Sequence, residues 1–200
     1  MQQQYNQQQP NPHAQQPAHQ PARQSAAPVI FGLDPERAKD AGKTNRIEKT
    51  DAYDLRIEKA EYISNQYKGT QGLQLTAEDP DGNRAWLTIW YNKGPQHQNA
   101  LIEQGVAMIN AIMYLHGAQQ LTQVQQGEKF FCPELTGAQI GAVIEREQYK
   151  DGNGQQQTRM ALRQVFSPET WHTAAEAIDG VQQPTAVNEL LQLLGVKTAA

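Results

Sequence analysis

Arg84-Ala85-Trp86-Leu87-Thr88-Ile89-Trp90-Tyr91 is the stretch from which the fold is read. Ala85, Leu87 and Ile89 alternate with Trp86, Thr88 and Trp90, and successive side chains of a strand point to opposite faces. The odd positions suit a core. Two tryptophans and Arg84 then share the other face, where large aromatics mark either a binding surface or a face that a terminal helix covers. Just upstream, Asp79-Pro80-Asp81-Gly82-Asn83 is a hairpin turn, because Asp-Gly and Gly-Asn tolerate positive φ. A calcium loop beginning at Asp79 would need a bidentate Glu at its twelfth position, where Trp90 stands.

Working back from that turn, Leu73, Leu75 and Ala77 alternate with Gln74 and Thr76 as a partner strand. Asn65 to Gly69 reverses the chain again. Tyr53-Asp54-Leu55-Arg56-Ile57-Glu58, continuing through Ala60, Tyr62 and Ile63, is the first strand. Beyond Tyr91 the period lengthens. From Gln98 to His116, Leu101, Ile102, Val106, Ile109, Ile112, Met113 and Leu115 have helical spacing, and Gly117 supplies a C-terminal stop. A polar loop follows, then Phe130, Phe131 and Leu135. Ile140 to Tyr149 and Thr158 to Phe166 are two more strands joined by the turn Asp151-Gly152-Asn153-Gly154. Ser167-Pro168-Glu169 has the form of an N-cap with Pro at the first helical position, opening a helix past Trp171 to about Ile178. Ala186 to Leu194 is a final apolar-faced helix ending at Gly195.

Three strands, a helix and two strands is the order of the OB-fold, a five-stranded Greek-key barrel whose second and third strands form an oligonucleotide face. The expected fold class is therefore mainly β: an OB-fold-like barrel with one helix between strands 3 and 4, plus C-terminal helices. An open α+β sheet with one helix is the rival that periodicity leaves standing.

Four segments are expected along the 200 residues. Residues 1–28 contain 10 Gln and 5 Pro but no Ile, Leu, Val, Phe or Trp, so they cannot offset the entropy of ordering and are expected to be a disordered tail. They lower the mean hydropathy to −0.73, which otherwise looks too polar for a folded chain. Residues 29–50 are a mixed basic lead-in. Within it, Gly42-Lys43-Thr44 imitates the end of a phosphate-binding loop, but Arg37 replaces the first glycine and no buried strand precedes it. Residues 51–166 form the OB-fold domain, and 167–200 a helical extension.

Several function classes fall away. No apolar run approaches a spanning helix, and MQQQYNQQQP has neither basic nor apolar leader character, so an intracellular protein without a membrane partner is expected. Cys132 has no second cysteine to pair with, and its surroundings suit a small core residue rather than a nucleophile. His13, His19, His97, His116 and His172 are scattered, so no metal site and no cofactor are expected.

From Gly42 to Phe166 the chain resembles phage- and mobile-element-encoded OB-fold single-stranded-DNA-binding proteins. The resemblance is carried by Gly42-Lys43-Thr44-Asn45-Arg46-Ile47, Tyr67-Lys68-Gly69-Thr70-Gln71-Gly72-Leu73 and Leu135-Thr136-Gly137, with Asp151-Gly152-Asn153-Gly154 in support. It implies a DNA-binding role in replication or recombination in the cytoplasm of a bacterial host cell, with single-stranded DNA and recombination or replication proteins as partners. Many such proteins end in an acidic recruiting tail, whereas this chain ends Leu194-Gly195-Val196-Lys197-Thr198-Ala199-Ala200. Recruitment is then expected of the Gln/Pro leader or the last helix. A homo-oligomer is a further option, and the choice of DNA or RNA is open.

Sequence-independent strand binding needs aromatic faces for stacking and cations that follow phosphates. Trp86 and Trp90 are the leading stacking candidates, followed by Tyr62, Tyr67 and Tyr149. Arg84 shares their face and Lys93 lies just beyond. Lys59 and Lys68 flank the first hairpin, and Arg146, Lys150, Arg159 and Arg163 surround the last. Net charge gives no help: between Pro35 and Phe166, 15 Lys and Arg face 16 Asp and Glu. Two other functions compete. One is a protein-interaction or structural OB module, with the tryptophans buried against the C-terminal helices or a second subunit. The other is a nuclease subunit using Glu145 and Glu147, which share a strand face. An exterior barrel face explains that pair more simply, and no enzyme is expected.

Overall fold

The computed structural model describes residues 32–39 and 45–196. The expected disordered tail, the Gly42-Lys43-Thr44 piece and the last four residues lie outside them. The chain divides into one unit through Lys43 and another from Thr44. In the first, Pro35–Ala38 forms one helical turn, α1, with Pro35 at its start and the Asp34 carboxylate accepting the Glu36 N–H at 3.1 Å.

The second unit is mainly β. Its strands are β1 (Asp51–Ser64), β2 (Gln71–Glu78), β3 (Arg84–Asn92), β4 (Val124–Gln126), β5 (Lys129–Phe131), β6 (Gln139–Lys150) and β7 (Gln156–Phe166). All seven belong to one sheet and pair antiparallel. The long β1 is the hub: β2 pairs along one edge, while β6 and then β5 share the other. The main ladder thus runs β3-β2-β1-β6-β7, with β5-β4 as a side branch from β1.

Alternation explains the core. Leu73, Leu75 and Ala77 of β2 and Ala85, Leu87 and Ile89 of β3 are buried against Leu55, Ile57, Ile140 and Ile144. In β1 the register shifts between Ile57 and Lys59, so burial passes from odd positions to Ala60 and Tyr62. Backbone groups at this bulge are satisfied: the Ile57 N–H donates to the Ala138 carbonyl at 2.8 Å, and the Ile57 carbonyl accepts the Gly137 N–H at 2.7 Å. The predicted turn chemistry is present at β2–β3. Asp79 Oδ1 accepts the N–H groups of Asp81 and Asn83, and Gly82 has φ +82°.

The five-stranded closed barrel requires correction. Val124–Gln126 and Lys129–Phe131 add a short hairpin that three-residue strands in a polar stretch do not announce. The sheet is also open, because no ladder joins β3 to β7. The β3 edge is occupied at both ends by other backbone. Ile47 N–H donates to the Arg84 carbonyl at 2.9 Å, Arg84 N–H donates to the Asn45 carbonyl at 3.0 Å, and Ile102 N–H donates to the Tyr91 carbonyl at 2.9 Å.

Helix α2, Glu103–His116, starts later than Gln98 because Gln98 and Asn99 have left-handed φ and form a turn. Its Gly117 stop is as expected, with the cap N–H bonded to the Met113 and Tyr114 carbonyls. The helix expected from Ser167 is displaced: α3 is Ala174–Ile178, capped by Thr173 and Glu176, and Trp171 at φ +60° interrupts the earlier segment. Helix α4, Ala186–Leu193, places Val187 and Leu191 against Val143 and Phe166 in a separate cluster that contains neither Trp86 nor Trp90. Among the described residues no helix is long and apolar enough to cross a membrane.

Candidate nucleic-acid interface

Where the ladder stops, β3 and β7 approach each other across the open seam, and between them lies a cleft of about 730 Å³. Trp86, Thr88 and Trp90 line its β3 side, and Thr158 to Arg163 its β7 side. Ile89, Met108, Met160 and Leu162 close it toward the core. Arg46, Arg84, Arg146, Arg159 and Arg163 also line it, against a single carboxylate, Glu48.

Strand geometry places the two indoles. Even positions of β3 face away from the core, so Trp86 is 44 % exposed and Trp90 half-buried. Four strand steps separate them, about 13 Å at the usual rise. Two glycines seat Trp90. Gly72 is its partner on β2, and Gly105 brings the first turn of α2 against the Trp90 carbonyl. Arg84 bonds through both its peptide groups on the side away from β2. With period two, the peptide groups of Trp86 and Thr88 point to that same side, into the seam.

The cations differ in what holds them. Arg84 Nε lies 3.0 Å from Glu78 and 3.3 Å from Glu58. The Arg84 hydrogen bond holds the Glu78 carboxyl below its ordinary range, and Glu78 in turn raises the guanidinium. Arg159 meets Glu147 at 2.8 Å and lowers its pKa, while Arg163 meets Glu145 at 2.5 Å. Among the described residues, Arg46 and Arg146 have no such partner. Instead the Arg46 guanidinium lies 5.1 Å from the centroid of the Trp86 ring.

Of the residues singled out from sequence, Trp86, Trp90, Arg84, Arg146, Arg159 and Arg163 meet in this cleft. The others do not line it. Tyr62 packs on the core, and burial, reinforced by Cys132, pushes its phenol pKa up. Lys59 is 2.7 Å from the buried Glu61 carboxylate and stands over Phe131. Tyr67, 89 % exposed, lies with Lys68 in the turn after β1; Gly69 of that turn packs on Pro95, close to Lys93. Tyr149 and Lys150 are near the tip of the β6–β7 hairpin, with Arg159 over the Tyr149 ring at 5.2 Å. Sequence reading left Arg46 in the basic lead-in. It stands in the 42–47 stretch that carries the resemblance, and the neighbouring Ile47 is buried and so fixes the segment on the domain.

Glu145 and Glu147 do face one way, but toward arginines on β7 rather than toward each other around an open position. No group of three His, Cys, Asp or Glu side chains is placed to hold a metal ion among the described residues. Cys132 is buried, and its thiol pKa is raised by that burial. The assembled chemistry is aromatic and cationic. Neither models of known protein families nor the curated proteins yield a match to this chain, so its functional reading stands on this cleft.

Proposed function

We propose that the protein binds single-stranded DNA without strong sequence preference and coats it during replication or recombination of a phage or mobile element. The carrying observation is the convergence of Trp86, Trp90 and five arginines on one cleft. Indoles accept any base by stacking, each contact worth about 1–3 kcal/mol, and guanidinium groups supply the phosphate attraction. In this reading the ladder β3-β2-β1-β6-β7 is an OB-fold barrel with one seam unzipped, and the nucleic acid lies along that seam. Arg84, Arg159 and Arg163 trade part of their carboxylate contact for phosphate.

A salt-titrated fluorescence assay with oligo-dT tests this. Binding should quench tryptophan emission and weaken as salt rises. Trp171 stacks on Phe166 at 5.1 Å, outside the cleft, so a Trp171→Phe background removes its signal and should leave the affinity unchanged. Trp86→Ala with Trp90→Ala on that background leaves none of the three tryptophans, so its affinity is read from the anisotropy of a fluorescently labelled oligo-dT and should fall tenfold or more (about 1–3 kcal/mol per base contact) with no loss of fold. Oligo-dT affinity equal to that of the parent protein would sink the proposal.

The three carboxylate-paired arginines favour a second reading, in which the cleft receives a protein segment and the ion pairs stay intact. Absence of oligo-dT binding at low salt would select it.

A further inference from the structure

Arg46 and Trp86 are related in a way that the binding of a strand along the seam does not by itself require. The backbone at 45–47 is held on the β3 edge by two hydrogen bonds with Arg84, and Ile47 anchors it in the core. The Arg46 side chain is exposed, has no carboxylate partner among the described residues, and rests over the ring of Trp86. Its chain origin is thus fixed while its planar end is free to move.

We propose that Arg46 and Trp86 form a clamp for one unpaired base, which lies between the indole and the guanidinium. This rests on the nucleic-acid reading of the cleft. Stacked planes repeat at about 3.4 Å, so a sandwiched base needs roughly 6.8 Å between the two. The guanidinium, now 5.1 Å from the ring centroid, retreats by about 2 Å, a rotamer adjustment for a flexible side chain. A guanidinium is flat and weakly hydrated and stacks on π-faces, which an ammonium cannot do. Both faces of the base must be free, so a base inside a duplex is refused. Every base has two such faces, so no sequence is preferred.

The test compares the intact chain with Arg46→Ala, Arg46→Lys and Trp86→Ala, using oligo-dT at several salt concentrations. Arg46→Ala should weaken binding roughly tenfold. Arg46→Lys should keep the wild-type salt dependence yet remain several-fold weaker, because it restores charge without a plane. Full recovery with Lys overturns the clamp, since charge alone would then suffice. So does wild-type affinity in both Arg46 variants while Trp86→Ala is weakened, a result that leaves the cleft reading standing. No binding by the unaltered protein overturns both. Arg46 is exposed, so its variants should melt with the wild type.

Discussion

Gly72 lies across the β2–β3 ladder from Trp90, and a β-carbon at position 72 would come 2.8 Å from the indole Cε3. The missing side chain is what lets the ring lie down against β2. Gly72→Ala should therefore push the indole outward, shifting its emission and weakening oligo-dT binding several-fold, on the scale of one lost base contact of about 1–3 kcal/mol. Emission spectra and a titration check this, and an unchanged pair of results counts against the seating described.

Gly105 is a stricter constraint. A β-carbon there would stand 1.9 Å from the Trp90 carbonyl oxygen, so α2 would have to lift off β3. Forced overpacking of this kind costs about 1–3 kcal/mol or more. Gly105→Ala should lower the urea midpoint accordingly, and a wild-type midpoint would show that the helix has room to spare.

The β3 parity, its partner strand β2 and the closing glycine of α2 were legible because each has a strong local signature: alternation over eight residues, an Asp-Gly turn, and a period that switches to helical before Gly117. The cleft tryptophans followed directly from that parity. Tyr62 was misplaced because the β1 bulge reverses which positions face the core, and a bulge leaves no mark on residue type. The ion pairs of Arg84, Arg159 and Arg163 were hidden because cross-strand register decides them, as in the opposition of Glu147 and Arg159. Arg46 was missed because its place beside Arg84 depends on a single isolated bridge between segments far apart in sequence. The open seam is equally non-local. It reflects competition for the β3 edge by residues 45–47 and 101–102, which no alternation pattern records.

Paired and unpaired arginines should differ in their ionic signature. Arg146 carries no carboxylate, so Arg146→Ala should reduce the slope of log affinity against log salt by about 0.7, the share of one single-strand phosphate contact. Arg159→Ala removes a cation already shared with Glu147 at 2.8 Å and should change the slope less. Equal slopes for the two variants would mean that the ion pairs dissolve completely on binding.

Acid should loosen the C-terminal helices. Burial alone would raise the Glu176 pKa, but backbone N–H groups of Ala186, Thr173 and Thr185, with the Thr173 hydroxyl, hold it at about 2 against an ordinary 4.5. A depressed carboxyl pKa stabilises the fold fully above the unfolded value and loses that contribution as pH falls from about 4.5 toward 2. Glu176→Gln should lower the melting temperature at neutral pH and narrow its gap to wild type across that acidic window. A gap that stays constant with pH would show that the carboxylate charge is immaterial.

Because no interstrand bond crosses from β3 to β7, altering the distance between them ruptures nothing in the backbone scaffold. A zippered cylinder would have to sacrifice rungs to admit a thicker guest. Here the gauge of the groove is set by side chains, chiefly long arginines and two methionines, Met108 and Met160, which reshape themselves readily. On the proposed reading, a rigid frame with pliant jaws would take purines and pyrimidines in turn.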